Sequence, residues 1–88
     1  MEVKFSKPFE KDLRAITEKA VVLKVEEIIS VLRHANLLAE MENIKKLKGH
    51  KDCYRIRLGN YRLGLQLEGK TVWLARLMHR KEIYRHFP

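Results

Sequence analysis

Between Tyr54 and Glu68 the side chains alternate with period two around one interruption, Gly59-Asn60. Such alternation puts Tyr54, Ile56 and Leu58 on one face of a strand and Arg55 and Arg57 on the other. Gly59-Asn60 fits a two-residue hairpin turn with glycine first, the type II′ preference. The turn length fixes the register: Leu58 opposite Tyr61, Arg57 opposite Arg62, Ile56 opposite Leu63 and Arg55 opposite Gly64. Like charges directly across a strand pair destabilise it by up to roughly 1 kcal/mol. A fold that keeps Arg57 against Arg62 is most simply explained by an anion bound there. The glycine opposite Arg55 is expected to leave room for that ligand to approach the sheet. Taken alone, arginines in strand rhythm also describe the wet face of an antiparallel sheet.

The remaining elements follow from periodicity and punctuation. Val3 and Phe5 alternate with Glu2 and Lys4 as a short opening strand. Ser6 suits a helix N-cap with Pro8 in the first turn, and Phe9, Leu13 and Ile16 recur at helical spacing. Val21, Val25, Ile28 and Leu32 share one face of a second helix, widened by Val22 and Ile29 and ending near Asn36. Leu37 to Asn43 reads as a helical turn or loop. Strands are expected at Ile44–Lys48, Tyr54–Leu58, Tyr61–Glu68 and Thr71–Met78, and a terminal helix at Glu82–Phe87. The fold class is therefore α+β: two N-terminal helices on a mostly antiparallel, four- to five-stranded twisted sheet, with a short C-terminal helix. Trp73 and Phe9 are expected in the core, and His34, His50 and His86 in solvent.

With 88 residues the chain is read as a single domain spanning 1–88. The lone Cys53 excludes an intrachain disulfide and suits a reducing compartment, with a small-hydrophobe role for the thiol. The opening MEVKFSKPFEKDL has no apolar run of the signal-peptide kind, and no stretch approaches a membrane span. A soluble cytoplasmic protein without a membrane partner is the expectation. Nineteen Lys and Arg against 11 acidic residues give a net charge of +8, which implies a polyanionic partner, nucleic acid or acidic protein.

The last hairpin decides whether Arg76 and Arg80 join the other arginines. A two-residue turn would send Arg76 into the core beside Leu63, and burying an unpaired charge is costly. A three-residue loop over Glu68-Gly69-Lys70 instead places Arg76 and Arg80 on the face of Arg55, Arg57 and Arg62. It also leaves Val72, Leu74 and Met78 there, to be covered by the terminal helix through Ile83 and Phe87 or by a partner.

The run KLKGHKDCYRIRLGNYRLGLQLEG, followed by HRKEIY, resembles the RelE/ParE superfamily of toxin–antitoxin toxins, the RelE-type branch more closely. The resemblance covers element order over nearly the whole chain, and its specific motifs lie in the second half. It implies a ribosome-dependent endoribonuclease that cuts mRNA in the A site, with Arg55, Arg57, Arg62, Arg80 and Tyr84 matching the family's functional positions. The best-known RelE carries lysines where Arg55 and Arg57 stand, so the charge is kept but a deprotonatable group is lost. The resemblance also implies a small antitoxin with an acidic, apolar segment, the toxin alone being monomeric and the complex a higher hetero-oligomer.

Cleaving RNA without metal needs a base for the ribose 2′-OH, cations for the phosphorane and an acid for the departing 5′-oxygen. Arginine forks suit the phosphate and suit proton transfer poorly. Arg62 and Arg80 are assigned to the phosphate, and Arg55 and Arg57 to phosphate or leaving group. His79, the side chain here that titrates near neutrality, is the candidate proton carrier. Tyr84 is assigned to the base or sugar. Lys45, Lys46, Lys48, Lys51 and Arg76 are candidate contacts to RNA phosphates. No metal or other cofactor is expected, since no cluster of Asp and Glu falls in this segment and His79 with His86 lacks a third ligand. Two other readings stay open: a ParE-like inhibitor that binds DNA gyrase, and a basic RNA-binding module without activity.

Overall fold

The computed structural model describes all 88 residues. Glu2–Phe5 forms β1, Lys7–Ala15 α1, Lys19–His34 α2, Ile44–Lys46 β2, Cys53–Leu58 β3, Tyr61–Glu68 β4, Thr71–His79 β5 and Ile83–His86 α3. A single 3-10 turn at Leu38–Glu40 bridges α2 and β2. The five strands make one sheet in the order β1-β5-β4-β3-β2, antiparallel except where β1 runs parallel to β5. This is the α+β arrangement expected from the sequence. No helix is long and apolar enough to cross a membrane.

Both long helices lie on one face of the sheet, because each carries one apolar stripe. Ser6 opens α1: its Oγ accepts from the Phe9 N–H at 3.1 Å. Phe9 from α1 and Val21, Val25 and Leu32 from α2 pack against Ile56, Leu58, Leu63, Leu65, Leu74 and Leu77 of the sheet. These buried side chains make the main core, whose apolar area supplies most of the driving force for folding.

The first hairpin has the expected register, with Arg57 paired with Arg62 and Arg55 with Gly64. Gly59 takes φ +61, as a glycine-first turn requires.

The last hairpin corrects the sequence reading. Its turn is the two-residue Gly69-Lys70, with Glu68 opposite Thr71, and not a three-residue loop. Ala75 then bulges out of β5, so Leu74 pairs with Leu65 but Arg76 pairs with Gly64. A bulge shifts the alternation by one residue, which keeps Arg76 out of the core just as a longer loop would have done. Residues before the bulge therefore face the other way from the expectation. Val72 and Leu74 are fully buried beneath the helices. Trp73, expected in the core, is only half-buried on the opposite face, with the Lys4 ammonium 5.5 Å from its ring centre.

The bulged stretch lies past the end of β1, where its backbone would be an open edge. Ser6, the N-cap of α1, and Asp12 within that helix satisfy it. Ser6 Oγ donates to the Ala75 carbonyl at 2.8 Å, and the Asp12 carboxylate accepts from Leu77 N–H at 2.9 Å. Asp12 also takes Arg76 in a two-pronged bond, 2.8 Å from Nε and 3.0 Å from Nη2.

The second face of the sheet carries a smaller core. Ile83 and Phe87, four residues apart, bury against Leu47, Cys53, Ala75 and Met78. Phe87 stands over Gly64, so the space expected there for a ligand is filled by a phenyl ring.

Candidate anion-binding groove

Cross-strand pairing on the second face gathers the cations. Lys45 on β2 pairs with Arg55 on β3, and Arg57 on β3 pairs with Arg62 on β4. Alternation then places Lys45, Arg55, Arg57 and Arg62 on one surface, away from α1 and α2. Together with Asn43 and Tyr84 they line a groove of about 300 Å³ that contains no carboxylate. Apart from the three arginines and Asn43, its lining side chains are the Lys45 ammonium and the Tyr84 phenol.

Each member of the groove is held differently. Arg62 Nη1 donates to the carbonyls of Gly59 and Tyr61, both at 2.8 Å, while Nε and Nη2 make no bond within the chain. Burial, and then the charges of Arg57, Arg80 and Arg55, push the Arg62 guanidinium below its ordinary pKa, with Tyr84 opposing them. Arg57 Nη2 donates to Asn43 Oδ1 at 3.3 Å. The Arg55 guanidinium lies 4.5 Å from the centre of the Tyr84 ring, a cation–π contact. Tyr84 itself is 71% exposed, an unusual state for an aromatic, and Ile83 beside it anchors the helix. Arg80 leaves the end of β5 with its N–H donating to the Asn60 carbonyl at 2.8 Å, near enough to influence Arg62.

Five expected site residues lie elsewhere. The pleat turns His79 toward the helix-bearing face, opposite Tyr61, with the two rings edge-on at 5.8 Å. Its Nδ1 accepts from Lys81 N–H at 3.2 Å, so the imidazole shapes the turn that carries Arg80 and α3. Arg76 is bound to Asp12, whose hydrogen bond raises the arginine's pKa further. Lys46 pairs with Tyr54 on the helix-bearing face. Lys48 and Lys51 sit with His50 in the exposed β2–β3 loop and do not line the groove. His34 and His86 are exposed as expected.

Asn43 was not singled out in the sequence. It stands at φ +60, in the left-handed region that asparagine tolerates, immediately before β2. An asparagine between a helical turn and a strand was the available signal. No three or more His, Cys, Asp or Glu side chains converge anywhere to hold a metal ion.

Fold and groove define a small basic α+β protein with a cationic site beside an exposed tyrosine. Residues 3–84 match the model of the family described as the ParE toxin of type II toxin–antitoxin systems, parDE. The chain is 40% identical, over the whole of both sequences, to Toxin RelE3 of Methanocaldococcus jannaschii. It is similar to the toxin in the crystal structure of the RelB–RelE antitoxin–toxin complex from Methanococcus jannaschii, with TM-score 0.82 and 39% identity over 97% of this chain and 99% of that one. The archaeal RelE–RelB complex from Pyrococcus horikoshii OT3 gives TM-score 0.72 and 26% identity, over 90% and 93% of the two chains. This chain belongs to the RelE/ParE superfamily of toxins of type II toxin–antitoxin systems.

Proposed function

We propose that this toxin is a ribosome-dependent endoribonuclease that cuts mRNA in the A site, with its groove around the scissile phosphate. The carrying observation is that Arg57 lies directly across from Arg62 in a groove whose lining includes no carboxylate. Like charges held together without a counter-ion suit a ligand that brings the negative charge.

In this reading Arg57 and Arg62 clasp the phosphate, and Arg80 adds charge from the β5 end. Arg55 supports Tyr84 from beneath, leaving the outer face of the ring for a splayed-out base. The 2′-oxygen attacks the adjacent phosphorus as its proton departs to a base. Guanidinium charge stabilises the phosphorane, and the 5′-oxygen leaves with a proton. The products are a 2′,3′-cyclic phosphate and a 5′-OH end, reached without a metal. Proton exchange falls to Lys45, to Tyr84 or to groups of the ribosome, while His79 acts by shaping the turn before α3. Lys48 and Lys51 meet RNA phosphates at the periphery.

The archaeal relatives were crystallised as antitoxin–toxin complexes. A cognate antitoxin with an acidic, apolar segment is the corresponding partner of this chain. Its apolar contacts cannot use Val72 or Leu74, which lie under the helices.

The test adds purified protein to ribosomes carrying a defined mRNA and maps the ends. Cuts in the A-site codon with cyclic phosphate ends are expected, and gyrase supercoiling should be unaffected. Intact message together with blocked supercoiling would replace this reading with the ParE-like one.

A further inference from the structure

Arg57 is exposed, faces Arg62 across the β3–β4 pair and shares its groove with Arg55 and Lys45. Repulsion from those charges and the rotamer freedom of an exposed arginine both favour its swinging out into solvent. One residue opposes this at two points. The Asn43 carbonyl accepts from the Arg57 backbone N–H at 3.0 Å, and Asn43 Oδ1 accepts from Nη2 at 3.3 Å. The φ of +60 at Asn43 belongs to the conformation in which one short polar residue makes both contacts.

The chemistry of the acceptor matters as much as its place. A carboxylate at this position would grip the guanidinium harder, since ion pairs make the stronger hydrogen bonds. It would also cancel charge that a phosphate needs. A neutral amide oxygen orients the fork and leaves its charge available.

We propose that Asn43 is a positioning residue that holds the Arg57 guanidinium over the groove, poised for the phosphate. The proposal rests on the reading of the groove as an RNA phosphate site. Asn43 then acts through Arg57 and not on the RNA.

The experiment compares wild type, Asn43→Gly, Asn43→Asp, Arg57→Ala and the double variant Asn43→Gly/Arg57→Ala. Glycine keeps the left-handed backbone and deletes the amide. Single-turnover cutting of ribosome-bound mRNA should fall about tenfold in Asn43→Gly, the worth of one hydrogen bond to a charged group. The double variant should cut no more slowly than Arg57→Ala alone. Asn43→Asp should keep the orientation but cut more slowly than wild type. A second readout needs no RNA: in protein labelled with ¹⁵N-arginine, rotation of the Arg57 guanidinium should be restricted in wild type and Asn43→Asp and averaged in Asn43→Gly. The amide spectrum of the same samples reports whether each variant is folded.

Full activity of Asn43→Gly, additive losses in the double variant, or wild-type cutting by Asn43→Asp would overturn the proposal. So would free rotation of Arg57 in the wild type. If the wild type leaves mRNA intact, the cleavage reading falls, and guanidinium rotation alone decides whether Asn43 holds Arg57.

Discussion

The ring of Phe87 covers Gly64 so closely that a Cβ built on the glycine would lie 2.6 Å from Phe87 Cδ2. Phe87 and Ile83 are the two anchors of α3, and Tyr84 projects beside them toward the groove. Gly64→Ala must therefore push Phe87 aside and move the helix that presents Tyr84. Overpacking of this size costs about 1–3 kcal/mol. For a domain of this length that lowers Tm by about 4–8 °C per kcal/mol. Cleavage, assayed well below the melting temperature, should fall as well. A variant that melts and cuts like the wild type would show that α3 tolerates displacement.

How far the sequence reveals this arrangement differs from strand to strand. The β3–β4 hairpin was readable because its turn, register and arginine opposition lie within a dozen or so neighbouring residues. The bulge at Ala75 was not, since what stabilises it is Ser6 and Asp12, remote in sequence. Loop length is the one device within the hairpin itself that keeps Arg76 out of the core, so local sequence alone points to it. Within the groove, Arg55, Arg57, Arg62 and Tyr84 were legible from alternation and from family resemblance. Lys45 could be separated from Lys46 only by the β2–β3 register, and Asn43 only by its backbone angle.

The pairing of Arg76 with Asp12 gives it a structural role and removes it from the groove. Both side chains are mostly buried, at 25% and 12% exposure. Asp12→Ala would leave Arg76 and the Leu77 N–H without their partner, a loss of about 2–4 kcal/mol. Arg76→Gln should also destabilise, by less. Neither change should weaken mRNA cutting beyond about twofold at a temperature where the protein is folded. Urea unfolding and the cleavage assay check the two halves separately. A tenfold loss of cutting by stably folded Arg76→Gln would return the arginine to the RNA-binding set.

Cys53 supplies a pH dependence whose sign is fixed. Burial, and then the charge of Asp52, push the thiol's pKa up. The folded protein therefore keeps a proton that the unfolded chain releases. That contribution to stability is complete below the unfolded thiol's pKa and is lost as pH rises from about 8.5 through the folded value. Between about pH 8 and pH 10 the wild type should lose stability faster than Cys53→Ala. Urea unfolding of both proteins across that range measures the difference. Parallel slopes would mean that the thiol does not contribute.

Arg57 and Arg62 should show function and stability pulling in opposite directions. Their opposition is unfavourable without a ligand, and burial already depresses the Arg62 pKa before Arg57 adds its charge. Arg57→Gln removes one charge and keeps a side chain that can reach Asn43. The relief, discounted for the exposure of Arg57, is about half a kcal/mol, which raises Tm by roughly 2–4 °C at low salt. Added salt should shrink that gain, because it screens the repulsion in the wild type. Tripolyphosphate should stabilise the wild type more than the variant, since only the wild type presents both guanidinium forks. Cutting of ribosome-bound mRNA should fall by about 10²-fold or more. Thermal melts at two ionic strengths, with and without the polyanion, read the first three effects. Lower melting of Arg57→Gln at low salt, with cutting unchanged, would mean that the paired arginines serve the fold and not a phosphate.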